Sequence, residues 1–223
     1  MESGSLFQGI ISAFQGGGAW MAPIAIAFAI SIAFTVERFI RLFFQYHVDG
    51  ASFMFEVQKY VLANDLDGAI RICNSSAKAA LPKVIKAGLQ RASRDETQIQ
   101  NAIDAASLEM IPKLERRIPY LALIANLATL LGLLGTITGL IESFGAISMA
   151  DPAQRQALLS AGIAKAMNAT AFGLITAIFT MIAHSILSSK ATRILEEIDE
   201  FGVKLLDLLS ARKYRHSTEK ADA

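Results

Sequence analysis

The side chains that can do chemistry in this sequence are hydroxyls set in apolar runs. Asn126, Thr129, Thr136 and Ser143 recur at spacings of three, seven and seven, which places them on one face of a helix. Further along, Thr170, Gly173, Ala177, Thr180 and His184 share a face in the same way. Hydroxyls donate and accept hydrogen bonds but hold no ionic proton at ordinary pH. No Asp or Glu lies in the central part of either run. If protons cross here, a carboxylate must come from another chain, because an intramembrane path needs an ionisable relay. Enzymatic chemistry has little support. His47, His184 and His216 are scattered, and no metal-helix or serine-base spacing appears.

The elements that carry these residues span a bilayer. Of the 223 residues 53% are hydrophobic and only 18% charged, and the mean hydropathy is +0.41. That excess makes lipid part of the solvent. The net charge of +1 argues against a bulk nucleic-acid binder, and the single cysteine, Cys73, excludes an internal disulfide framework. The expected fold class is an all-α integral membrane protein with three transmembrane helices and long cytoplasmic helical extensions. A hydrocarbon core of about 30 Å takes about 20 helical residues. The runs that supply them are 19–44, 119–148 and 158–189. No charge falls between Ser3 and Val36, so the first span reads as a permanent helix rather than a cleaved signal.

Lys and Arg fix the orientation. They cluster after span one (Arg38, Arg41), before span two (Lys113, Arg116, Arg117) and after span three (Lys190, Arg193), while the 149–157 loop holds only Arg155. The positive-inside rule places the N-terminus and that loop outside and residues 45–118 and 190–223 inside. Residues 1–18 read as an external amphipathic helix ending in a Gly16-Gly17-Gly18 hinge. Residues 45–118 read as a helical cytoplasmic domain in which Asp65 caps a helix starting near Leu66. The tail carries Ile194, Ile198, Phe201, Leu205 and Leu208 in one stripe. That stripe packs on the cytoplasmic domain or, as favoured here, on copies of itself as a collar.

Spans two and three are antiparallel about a loop centred near Ala153, so residues at equal depth have numbers summing to about 306. Thr136 falls level with Thr170, and Glu142 with Lys165 or Ala164. A hydroxyl pair and an ion pair are therefore expected. Gly135 and Gly139 form a small-xxx-small pair that permits close helix approach.

The stretch Gly132-Leu-Leu-Gly-Thr-Ile-Thr-Gly-Leu-Ile-Glu-Ser-Phe144 resembles the second-span signature of the ExbB/TolQ/MotA proton-channel family. Gly162-Ile-Ala-Lys-Ala-Met-Asn-Ala-Thr-Ala-Phe-Gly-Leu174 resembles its third-span signature. Three spans place the chain nearer the ExbB and TolQ branch. The resemblance implies a homopentamer in the bacterial inner membrane around two ExbD/TolR-like single-span subunits, whose helix supplies the proton-carrying Asp. It implies H+ as the transported ion, no cofactor, and a route lined by Thr136 and Thr170. Asn126, Thr129, Gly132, Gly173, Ala177 and Thr180 then face the pore. The work implied is transport energisation, envelope maintenance or gliding motility. The alternative is a non-conducting oligomeric scaffold. Many relatives carry Glu where this chain has Lys165, so the possible Glu142–Lys165 ion pair replaces a carboxylate here.

Overall fold

The computed structural model describes residues 17–221, and side chains as far as Lys213. The expected amphipathic helix before Gly16 lies outside the described residues. Among the described residues every regular element is helical. The helices are α1 (Met21–Ile40), extended by one π-helical segment Arg41–Gln45, then α2 (Gly50–Leu62), α3 (Leu66–Ser75), α4 (Ala80–Leu89), α5 (Glu96–Glu115), α6 (Ile118–Met149) and α7 (Arg155–Ala221). Among the described residues, three helices are long and apolar enough to cross a membrane. The chain is thus an all-helical membrane protein. It divides into two compact units, one made of the described residues up to 36 with 117–186, the other of 37–116 with the described residues from 187 onward.

The first unit holds α6 and the matching stretch of α7, with most of α1 beside them. Its interior is built from small residues. Gly132, Gly135, Gly139, Ala128, Ala166 and Ala169 are all buried. A Cβ placed on Gly173 would stand 2.7 Å from the Ala128 carbonyl oxygen, and one on Gly139 would stand 2.9 Å from the Ala166 Cβ. Lipid tails are as apolar as leucine, so association rests on this backbone approach rather than on burial of large side chains. The large side chains point outward instead, Leu130, Ile141, Ile175 and Ile182 among them.

The second unit is ordinary globular packing. Helices α2 on α3, α3 on α4 and α4 on α5 pack in succession. Asn64 ends α2 with φ 62°, a conformation that Asn tolerates better than most residues. Asp65 then caps α3, its carboxylate accepting from the Gly68 amide at 2.8 Å. The cap and the helix start are those expected from the sequence. At α2 the Ser52 hydroxyl donates to Asp49 at 2.6 Å and holds that carboxyl below its ordinary range. Arg38 is fully buried. Its Nη2 donates to the carbonyls of Lys113, at 3.2 Å, and Leu114. These carbonyls end α5, where cations are favoured by the exposed C=O groups.

No break separates span three from the C-terminal helix, in keeping with the unbroken apolar pattern of the sequence: α7 is continuous over 67 residues. No proline follows Pro152, and nothing else in the stretch removes a backbone donor. One expectation changes, the collar. Ile194, Ile198, Phe201 and Leu205 are buried within their own unit. Phe201 seats against Gly50, and Leu205 against Gly88. Leu209, rather than Leu208, completes the stripe. Helices α2 to α5 offer an apolar surface inside the subunit, which leaves this stripe no face for a second copy.

Candidate proton-route site

The contact between α6 and α7 sets the geometry. Viewed down α6 at about 100° per residue, the buried line runs through Ala125, Ala128, Gly132, Gly135, Gly139 and Ser143. Thr129 and Thr136 fall about 40–60° to one side of Gly132, and Glu142 about 80° to the other. On α7 the buried line runs through Ala166, Ala169, Gly173, Ala177 and Thr180. Thr170 falls about 40° to one side of Ala166, and Lys165 about 100° to the other. The seam therefore separates two polar pairs.

On the first flank, the Thr136 and Thr170 hydroxyls are hydrogen-bonded to each other. Both also reach the Gly132 carbonyl, Thr136 at 3.2 Å and Thr170 at 2.8 Å. Each hydroxyl has one proton, so two protons serve three contacts and the pattern has more than one filling. Both threonines are half-buried. The Gly132 position admits Thr170 because a Cβ there would stand 3.2 Å from the Thr170 Cα. On the second flank, Lys165 Nζ donates to Glu142 Oε2 at 3.0 Å. This flank carries α1. Phe28 meets Phe172 and Phe179 edge-on with centroids 6.2 and 5.4 Å apart, and Gly135 faces Trp20.

The six residues expected to face a pore divide. Asn126 and Thr129 are exposed, on the same side as the threonine pair. Gly132, Gly173, Ala177 and Thr180 are buried in the seam of their own subunit. A single helical stripe cannot distinguish these places, because a contact seam and its flank lie within one half-turn of each other. Thr129 bonds back to Ala125 O at 3.2 Å and Thr180 to Thr176 O at 2.7 Å, the local bonding available to any helical Thr. Thr176 was not singled out from the sequence. It is fully buried, and its hydroxyl has no hydrogen-bond partner. Its four-residue spacing from Thr180 was the available signal. His184, one turn further along the same helix, is half-buried.

Residues 76–200 match the MotA/TolQ/ExbB proton channel family, a stretch that includes all of α6 and both threonines. The chain is 38% identical over 113 residues to the Tol-Pal system protein TolQ of Haemophilus influenzae, covering 48% of this chain and 49% of that protein. It is 26% identical to biopolymer transport protein ExbB-like 3 of Synechocystis, over 78% of this chain and 83% of that protein. It is 34% identical to biopolymer transport protein ExbB of Aquifex aeolicus, over 42% of this chain and 62% of that protein. The chain thus spans about half the length of the Haemophilus TolQ that it matches. A match over more than half the sequence, centred on the paired membrane helices and their hydroxyls, means that the chain belongs to the MotA/TolQ/ExbB proton channel family.

Proposed function

We propose that this protein is the channel subunit of a proton-driven motor in the bacterial inner membrane. Its N-terminus is periplasmic and its C-terminus cytoplasmic, following the distribution of Lys and Arg. The subunit works as a homopentamer with an ExbD/TolR-like single-span partner. The partner's intramembrane Asp takes a proton from the outer side and releases it to the inner side. Thr136 and Thr170 stand beside that carboxylate, donating to its charged form and accepting from its protonated form. The energy is spent at the envelope, on transport, envelope maintenance or gliding.

One observation carries this reading: two hydroxyls at one depth are bonded to each other, on the flank of the seam away from α1, in spans with no central carboxylate of their own. A proton can be solvated there but not stored.

The test is proton uptake by vesicles holding the complex with its co-encoded single-span partner. Thr136→Val or Thr170→Val is expected to abolish uptake while the complex still assembles. Removing one such hydroxyl costs roughly 1 kcal/mol or less of stability, so lost transport would not mean a lost fold. Undiminished uptake in both variants would refute the route, and no uptake by the unaltered complex would favour a non-conducting scaffold.

A further inference from the structure

The second polar pair has a separate use. Lys165 Nζ holds Glu142 at 3.0 Å. On its way there, the lysine stem crosses the backbone of Gly18, where an added Cβ would collide with Lys165 Cε. Gly18 has φ 76°, a conformation that L side chains adopt only with strain. It lies two residues before Trp20, which itself abuts Gly135. Three segments therefore meet at one point: the start of span one, the outer end of α6 and the outer part of α7. The meeting point is on the α1 flank of the seam. The threonine pair is on the other, with Gly139, Ala166 and Ala169 packed between them.

We propose that Lys165, Glu142 and Gly18 form an outer clamp that fixes the start of span one on the α6–α7 pair and stands outside the proton route. Lys165 is a positioning residue for span one: its charge engages Glu142 and its methylenes cover Gly18. Only the exclusion from the route rests on the function proposed above. The clamp itself rests on the contacts alone.

The test uses the full chain in complex with its partner and two readouts, amide hydrogen exchange over residues 17–30 and proton uptake in vesicles. Lys165→Met keeps the stem and removes the charge; Glu142→Gln removes the partner charge. Each is expected to speed exchange at the start of span one by at least about threefold, with uptake kept within about twofold of the unaltered complex. Lys165→Arg, and the charge swap Lys165→Glu with Glu142→Lys, are expected to restore slow exchange. Unchanged exchange in both single variants, or no repair by the swap, would overturn the clamp. Uptake lost in Lys165→Met and not recovered by a swap that restores exchange would place Lys165 in the route. Thr136→Val and Thr170→Val measured alongside keep the readings apart. If both conduct normally, the threonine route fails while the exchange data still decide the clamp.

Discussion

At the scale of single residues, the informative contact is the Gly132 carbonyl with two hydroxyls on it. A hydroxyl that can turn between a carbonyl and a second hydroxyl exchanges hydrogen-bond partners without breaking the helix. The side-chain methyl takes no part in this. Thr170→Ser is therefore expected to keep most proton uptake where Thr170→Val loses it, as measured in the same vesicles. If the serine variant is as inactive as the valine variant, shape rather than the hydroxyl is what matters. The depth match of Thr136 with Thr170 could be read from the sequence, because antiparallel helices joined by a short loop have one register. What could not be read was the division of Gly132, Gly173, Ala177 and Thr180 from Asn126 and Thr129. Helical periodicity groups residues within a wide arc, and only packing decides which part of that arc is covered.

At the scale of elements, the close approach of α6 and α7 depends on particular glycines. A Cβ on Gly173 meets the Ala128 carbonyl oxygen at 2.7 Å and the Gly132 Cα at 3.0 Å, both backbone atoms that cannot turn aside. One on Gly145, near the C-terminal end of α6, meets nothing within 4 Å. Gly173→Ala is expected to destabilise the helix pair by about 1–3 kcal/mol. Gly145→Ala is expected to be neutral or stabilising by up to about 1 kcal/mol. Thermal unfolding in one detergent compares them, and equal midpoints would mean that the seam can spread. Helix type and the three spans follow from apolar run length, and the cap at Asp65 follows from residue type. The fate of the 194–205 stripe did not follow, because a stripe records that a face is covered and not by what. The partners that cover it, Gly50 and Gly88 among them, lie more than a hundred residues away in sequence.

At the scale of the molecule, the chain joins two units with different cohesion. One is held by backbone approach in lipid, the other by a core of large apolar side chains in water. Cys73 reports on the second. It is buried, and burial pushes its thiol up to about 11. With the pKa raised, the reactive thiolate is scarce at every pH below that value. At pH 8 a maleimide is expected to label Cys73 very slowly in the folded protein and rapidly once the helices around it open. Labelling against temperature, compared with the loss of helical signal, tests whether that unit opens before the membrane helices do. Rapid labelling of the native protein would show the site to be open.

The two flanks of the seam also limit how copies can be joined. The α1 flank and the threonine flank of one subunit differ in every residue, so the subunit is directional around the seam. Under the proposed assembly, each copy must present its threonine flank to a shared central helix. A two-fold pairing that set like flank against like would bury the threonines between two copies and close the assembly at a dimer. Only head-to-tail contacts, in which one surface of a copy meets a different surface of the next, keep every threonine flank facing one axis. In such a ring the number of subunits is set by the angle between those two unlike surfaces, and substitutions at either surface, far from any hydroxyl, would change the bore before they changed the chemistry.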